Sequence, residues 1–426
     1  MGEFAVMATD EMRRYEPDSP DTLRELENQA FVIAQNANAV YESAREHFYF
    51  SLIQDIVESQ YDIGKVLEVY QIFGGYINTT FGIYTEKDGE RQTWLFRMYI
   101  KGKTLNALLF EHRLLQYCRA NGFDMCAAPI ENRKGSTYVT RDVDTGTGEG
   151  PKEYYFSIFN YIGGVQTYGW MPGLWQDGVQ DITITSAAQC LAGLHSAAAG
   201  FDPQGIFGDN LLHIVEDFSV NEIIHRYPEI RAGYRKIYSE AGLDNNPYTN
   251  YYDAHIDFYE DACKRAFIPD DEYKDLFICP CHSDFHCDNL KYNTDGAVVG
   301  VFDFDSAKID ARIFDVCYAI HYLFSSWKSR INGELLLDRT LTFLKAYDAE
   351  CMRIGKIPPI TQAEKRNLYK EFLQATIFID GWCTAAIVLD TTVDPYEYVY
   401  YSQHFVRATK WVEAHKDEIE NLAKQL

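Results

Sequence analysis

The sequence predicts an α+β chain in two lobes, a small antiparallel-sheet N-terminal lobe and a larger helical C-terminal lobe. Three observations predict it. The chain has 426 residues, enough for two buried cores. Between positions 66 and 162 the apolar pattern shortens into strand-length runs separated by Gly and Asn turns. After Gly163-Gly164 it returns to mostly helical spacing.

The elements follow in order. Residues 1–20 are polar. Leu23, Leu26, Ala30, Ile33 and Ala37 recur at helical spacing within Asp21–Phe48, and Phe50–Ser59 gives a second helix. Strands are expected at Val66–Phe73, Thr79–Tyr84 and Trp94–Ile100, then a helix at Leu105–Ala120 ended by Asn121-Gly122. Thr137–Arg141 and Tyr154–Ile162 complete the strand-rich region. The C-terminal lobe should hold helices at Ile182–Ala199, Tyr252–Ala266, Arg312–Trp327, Leu335–Arg353, Gln362–Leu389 and Ser402–Leu422. A strand pair, Leu290–Tyr292 and Val298–Phe304, interrupts them around the turn Asn293–Gly296. The expected division is 1–47 as an N-terminal helical extension, 48–162 as a nucleotide-binding lobe and 163–426 as a catalytic and substrate-binding lobe.

Composition narrows the function classes. Hydrophobic residues make up 46% and charged residues 24%, the balance of a soluble globular chain. The net charge of -24 repels phosphate backbones and anionic membranes, so neither is an expected partner; it modestly favours cationic substrates. Ten cysteines without disulfide-like spacing suit a reducing cytoplasm. The longest apolar run, Ala375–Leu389, is interrupted by Asp380, so no membrane span is expected.

Chemistry concentrates at His282-Ser283-Asp284-Phe285-His286-Cys287-Asp288-Asn289, followed by Val301-Phe302-Asp303-Phe304-Asp305. Phosphoryl transfer needs a carboxylate to orient and deprotonate the attacking hydroxyl, and hard oxygen ligands for Mg²⁺. Asp284 and Asn289 stand at the D-x-x-x-x-N spacing of the protein-kinase catalytic loop, with Asp as base and Asn as metal ligand. Asp303 is the second metal ligand, returned to the first by the hairpin. Taken singly, each residue could merely cap a turn or end a strand; the ordered set points to catalysis.

This block resembles the aminoglycoside phosphotransferase and choline kinase superfamily, also called the phosphotransferase enzyme family, which includes homoserine-kinase-like members. The family pattern is His-Gly-Asp-x-x-x-x-Asn, then Asp-Trp/Phe-Asp/Glu after a hairpin, then an Asp opening a helix. Here these are His282 to Asn289, Asp303-Phe304-Asp305 and Asp315; Ser283 replaces the usual Gly, with little consequence expected. The resemblance spans about residues 48–415. It implies a two-lobed protein-kinase-like fold with ATP between the lobes, Mg²⁺, and a small-molecule hydroxyl as phosphate acceptor. It also implies that His282 and Asp315 scaffold the catalytic loop, and that Asp305 lies near metal or substrate. Leu191-Ala192-Gly193-Leu194-His195 is similar to the family's Leu-Ala-x-Leu-His helix, with His195 structural.

In the N-terminal lobe, Gly74, Gly75 and Asn78 form a Gly-rich hairpin whose amides could approach the ATP phosphates. Arg97 on the third strand and Glu111 on the following helix are the expected cation–acid pair, with Lys101 as the other candidate cation. Asn160 and Tyr161 lie in the expected hinge, where backbone meets adenine. Around the acceptor, Asp305, Tyr168, Trp170, Trp382 and Tyr401 are candidate contacts, although such aromatics are more often core. Cys279, Cys281, His282, His286 and Cys287 raise a zinc reading, but their spacing fits no standard zinc site and buried thiols explain them better. A protein kinase is the competing activity; the sequence lacks His-Arg-Asp and Ala-Pro-Glu. A catalytically inactive nucleotide-binding module is the third reading, disfavoured by Asp284, Asn289 and Asp303 being present together.

Overall fold

Alternating apolar residues build the sheet of the N-terminal unit. A computed structural model describes residues 49–72, 78–99, 102–144, 150–164, 181–206, 218–328, 330–389 and 394–426, with residues 382 and 384–389 by backbone alone. The helix expected over Asp21–Phe48 lies outside these residues, as do Gly74, Gly75 and Lys101. The chain divides into two compact units at residues 163 and 164.

Strands β1 (Lys65–Ile72), β2 (Thr79–Lys87), β3 (Glu90–Met98), β4 (Val139–Val143) and β5 (Lys152–Asn160) form an antiparallel sheet in the order β1-β2-β3-β5-β4. Phe81 and Ile83, Phe96 and Met98, and Phe156 and Ile158 are buried at every second position, as the pleat requires. Ile53, Ile56 and Val57 of helix α1 (49–60) cover this face. Each such side chain contributes about 1.5–3 kcal/mol when fully buried. Gly64 enters β1 at φ +95°, where a Cβ would stand 2.1 Å from the Glu86 carbonyl oxygen, so only glycine fits this close approach. Helix α2 has the predicted bounds, Leu105–Ala120. Thr104 Oγ1 accepts the Ala107 amide at 3.2 Å to cap its start.

The C-terminal unit is helical: α3 (Asp181–Ala198), α4 (Val220–His225), α5 (Tyr227–Glu240), α6 (Pro247–Ala254), α7 (Ile256–Ala266), α8 (Asp270–Tyr273), α9 (Arg312–Phe324), α10 (Leu337–Ile354), α11 (Gln362–Leu389), α12 (Pro395–Ala414) and α13 (Lys416–Ala423). Two short strand pairs frame residues 282–305: β6 (Ile278–Cys281) with β9 (Lys308–Ala311), and β7 (Leu290–Tyr292) with β8 (Val298–Val301). Helix α11 packs against α7, α9, α12 and α13. No helix among the described residues is long and apolar enough to cross a membrane.

Several elements differ from expectation. Helices α4 and α5 were not anticipated, because the buried residues of α5 are Tyr227, Tyr234 and Tyr238 rather than aliphatics. Two predicted helices are each broken by a histidine. His255 separates α6 from α7, and His415 separates α12 from α13. Each bonds through Nδ1 to the carbonyl four residues back, Tyr251 at 2.9 Å and Trp411 at 2.8 Å, and stacks on that residue's ring. A side chain that satisfies a last-turn carbonyl ends a helix as a cap does.

Candidate active site

Strand β6 brings the chain to His282, and Asp315 in the first turn of α9 holds it there. Asp315 Oδ2 accepts the His282 amide at 2.7 Å and Oδ1 the Ser283 amide at 2.9 Å. Oδ2 also lies 3.0 Å from His195 Nε2, whose Nδ1 bonds the Tyr347 hydroxyl at 2.7 Å. All these groups are buried. A carboxylate in a first helical turn also meets the positive end of the helix dipole. The helix is itself pinned: buried Arg312 forms a bidentate pair with Glu364, both contacts 2.8 Å, and donates to the carbonyls of Pro358 and Pro359.

Ser283 takes φ +61°, and its buried Oγ makes no hydrogen bond. The small consequence expected of Ser283 is therefore not what the backbone shows. The position is left-handed, which suits glycine and costs a serine of the order of 1 kcal/mol.

Asp284 follows, with a partner on each oxygen. Oδ1 accepts the Tyr318 hydroxyl at 2.6 Å, and Oδ2 accepts Asn289 Nδ2 at 3.0 Å. The same Nδ2 donates to the Asp284 carbonyl at 2.9 Å, so the Asn289 amide oxygen is the end turned away. His286 Nε2 lies 3.5 Å from Asp284 Oδ1. Burial acts against charge on both Asp284 and His286. Their mutual attraction and hydrogen bonding outweigh it, holding the Asp284 carboxyl below and the His286 imidazole well above their ordinary values. Burial pushes His282 down, toward the neutral imidazole.

The hairpin then returns Asp303. The Phe302 amide donates to the Asn289 carbonyl at 3.0 Å, and the Phe302 carbonyl meets His282 Nε2 at 3.0 Å. Both ends of the loop from His282 to Asn289 are thus bonded to the residue preceding Asp303. Asp303 adopts φ +65°, a left-handed conformation that Asp tolerates better than most residues. The Asn289 amide oxygen and the Asp303 carboxylate are hard donors of the kind Mg²⁺ takes. Asp305 is buried beside them in sequence.

In the N-terminal unit, Arg97 Nη1 pairs with Glu111 Oε1 at 3.0 Å, and Tyr99 donates to Glu111 Oε2 at 3.2 Å. Asn78 opens β2 and is half-buried. Asn160 is tied to Ala128 twice, accepting its amide at 2.7 Å and donating to its carbonyl at 3.2 Å. Tyr161 is exposed. Tyr168, Trp170 and the Trp382 side chain lie outside the described residues. Tyr401 donates to Glu397 at 2.8 Å.

Two residues beside Asp284 were not singled out from sequence. Tyr318 bonds it directly, and Tyr322 stacks on Tyr318 and His286, centroids 5.1 and 5.0 Å apart. Asp315, Tyr318 and Tyr322 follow at i, i+3 and i+7, one helical face; that spacing was the available signal.

The zinc reading meets its test at His195, Cys279 and Cys281, whose ligand atoms cluster. Both His195 nitrogens are already bonded. The Cys281 thiol donates to carbonyls at 3.5 and 3.6 Å, and burial pushes it well above its ordinary value, away from the thiolate zinc needs. At the second cluster, His286, Cys287 and Asp288, burial likewise raises the Cys287 thiol.

Comparison with known proteins bears on the family and the fold. Residues 68–350 match the family model described as the phosphotransferase enzyme family. A homoserine kinase of Ralstonia pickettii is 25% identical over 329 residues, 75% of this chain and 80% of its own length. An amicoumacin kinase solved with AMP-PNP and Ca²⁺ superposes with a TM-score of 0.53 at 12% identity, over 90% of this chain and 96% of that one. Choline kinase of Cryptosporidium parvum gives 0.52 at 14% identity, over 84% and 92%. At these identities the two structures establish a shared fold, that of the protein-kinase-like small-molecule kinases.

Proposed function

The chain belongs to the phosphotransferase enzyme family, and on that premise we propose that it is an ATP- and Mg²⁺-dependent kinase acting on a hydroxyl group of a small molecule. The observation that supports this most is the placement of Asp284. It is a carboxylate held below its ordinary pKa, fixed by Tyr318 and Asn289, with Asp303 returned alongside by the hairpin.

In this reading Asp284 orients the acceptor hydroxyl and takes its proton on a carboxylate oxygen. The hydroxyl oxygen meanwhile bonds the γ-phosphorus of ATP, and the bond to the β-phosphate oxygen breaks to release ADP. Tyr318 and Asn289 fix the carboxylate so that little reorientation precedes the transfer. Asn289 and Asp303 would hold Mg²⁺, which neutralises charge on the phosphates. Arg97, set by Glu111, would meet phosphate oxygens, with Gly74, Gly75 and Asn78 as the phosphate loop. Asn160 and Tyr161 would mark the adenine side. The division at 1–47, 48–162 and 163–426 belongs to the same proposal. The homoserine kinase relatives favour an amino alcohol as acceptor; an amino sugar, sugar or aminoglycoside uses the same chemistry. Ten buried cysteines, none in a disulfide, suit the cytoplasm.

An ADP-release screen with Mg-ATP over amino alcohols, amino sugars, hexoses and aminoglycosides tests the activity. Asp284→Ala and Asp303→Ala should each lower turnover on the order of 10²- to 10⁴-fold in protein that still melts cooperatively. Wild-type turnover in either variant would refute its assigned role.

A further inference from the structure

The Glu111 carboxylate has a second tie besides Arg97. Arg97 Nη1 bonds Oε1 at 3.0 Å, and the Tyr99 hydroxyl bonds Oε2 at 3.2 Å. Tyr99 Oη in turn lies 2.9 Å from His112 Nε2, and His112 Nδ1 lies 2.7 Å from Thr137 Oγ1. Three parts of the N-terminal unit are thus joined in series: Tyr99 directly after β3, Glu111 and His112 on α2, and Thr137 two residues before β4. Tyr99, Glu111 and His112 are buried, while Arg97 keeps 13% of its side chain exposed, where a ligand can meet it. The phosphoryl-transfer reading uses the ion pair and gives Tyr99, His112 and Thr137 no part.

The series has one direction. A carboxylate oxygen cannot donate, so the single Tyr99 proton must point at Glu111; turned toward His112, it would leave two bare oxygens facing each other at 3.2 Å. Tyr99 Oη is then the acceptor for His112, whose proton must sit on Nε2. With one proton on the ring, Nδ1 is bare and accepts the Thr137 hydroxyl. We propose that Tyr99, His112 and Thr137 are positioning residues for the nucleotide: their relay fixes the Glu111 carboxylate and through it aims the Arg97 guanidinium at the ATP phosphates.

Arginine needs such aiming more than lysine does. A guanidinium grips phosphate through two parallel N–H bonds, so its orientation matters, whereas an ammonium acts as a point charge. The Arg97 guanidinium carbon stands 5.5 Å from the Phe159 ring and 5.8 Å from the Tyr99 ring, contacts that confine it and leave its turn to hydrogen bonds. The last torsion of a glutamate is broad when one oxygen is held and narrow when both are. Tyr99 therefore has two duties, and Tyr99→Phe separates them: the ring stays against Arg97 and the hydroxyl leaves Glu111. The inference rests on the kinase reading for phosphate as the ligand of Arg97; the direction of the relay is measurable without it.

The test combines nitrogen NMR of the histidines, titration calorimetry with Mg-AMP-PNP and ADP-release kinetics, all on the full chain. In the nucleotide-free wild type, His112 should show a bare Nδ1 and a protonated Nε2; the opposite tautomer overturns the relay. Tyr99→Phe should weaken nucleotide binding and raise KM for ATP on the order of 10-fold, the low end for losing a hydrogen bond to a charged group, with KM for the acceptor unchanged. His112→Gln, whose amide can replace the Nε2 donor, should bind nucleotide more tightly than His112→Ala. In an Arg97→Ala background, Tyr99→Phe should change nucleotide affinity by less than about 2-fold, because no guanidinium is left to aim. Melting of each variant establishes that it is folded. Nucleotide affinity unchanged in Tyr99→Phe, an equal loss with and without Arg97, or no nucleotide binding by wild type overturns the proposal. Nucleotide binding that depends on Tyr99 in a protein that releases no ADP with any acceptor supports the relay and removes the kinase reading; full turnover with KM for ATP unchanged in Tyr99→Phe does the reverse.

Discussion

Replacing Asp315 is the sharpest test of how the catalytic loop is held. The carboxylate serves the His282 amide at 2.7 Å, the Ser283 amide at 2.9 Å and His195 Nε2 at 3.0 Å, all in the interior. In Asp315→Ala those groups lose their acceptor. Each buried orphan costs about 1–3 kcal/mol, so two amides and an imidazole lose roughly 3–9 kcal/mol together. That approaches a typical total stability of about 5–15 kcal/mol, and the alanine variant should be largely unfolded near 37 °C. Asp315→Asn keeps the shape and one acceptor oxygen. His195 can change tautomer to accept from the new amide, leaving one backbone amide unserved, a loss of about 1–3 kcal/mol. Because that amide lies within two residues of Asp284, even a shift of about 1 Å at the base should lower turnover on the order of 10²-fold. Urea denaturation followed by tryptophan fluorescence reads the first quantity, and ADP release on the folded protein the second. An asparagine variant within about 0.5 kcal/mol of wild type, with full turnover, would show that the carboxylate does not hold the loop.

Two further outcomes follow from the same unit. Ser283→Gly removes a left-handed serine and a buried hydroxyl without a partner. The relief of about 1–3 kcal/mol exceeds the 0.4–1 kcal/mol that glycine adds to unfolded-chain entropy, so the urea midpoint should rise; a lower midpoint contradicts the strain argument. Burial pushes the Asp380 carboxyl from its ordinary 3.8 up to about 7, with Ser402 and Tyr259 opposing. A folded-state pKa above the unfolded one favours the fold fully below pH 3.8 and loses that contribution as pH rises to about 7. The difference of about three units corresponds to a few kcal/mol. Asp380→Asn should therefore be more stable than wild type at pH 8, and the gap should close by pH 4; a pH-independent gap in urea melts would refute this.

The proposed catalytic set could be read from sequence because its members are close along the chain. The five-residue step from Asp284 to Asn289 and a short hairpin place three of its groups with no knowledge of how distant helices pack. The helix bounds at Leu105–Ala120 and Gln362–Leu389 were legible for a similar reason, since Asn121-Gly122 and the helical repeat are local signals. Tyr318 was not, because a tyrosine at helical spacing reads as core until α9 is docked beside the loop. His286 suggested zinc from its cysteine neighbours, while its contact is with Asp284. Asp380 registers in the sequence only as an interruption of an apolar run; its meaning depends on Tyr259 and Ser402, which lie 121 residues before and 22 after it along the chain. His255 and His415 ended helices through contacts with their own preceding turn, a signal that hydrophobic periodicity does not carry.

The hydrogen bond from Phe302 to Asn289 has a bearing on how this lineage can diverge. It makes the β7–β8 ladder a ruler: whatever lies beyond the ladder's far end is free to lengthen, because Asn289 and Asp303 are measured from the near end. Extra residues within Asn293–Gly296 leave the two donors in step. A single residue inserted between Val298 and Phe302 breaks the register that sets Phe302 against Asn289. Length variation among relatives should therefore collect at the tip and be purged from the stem.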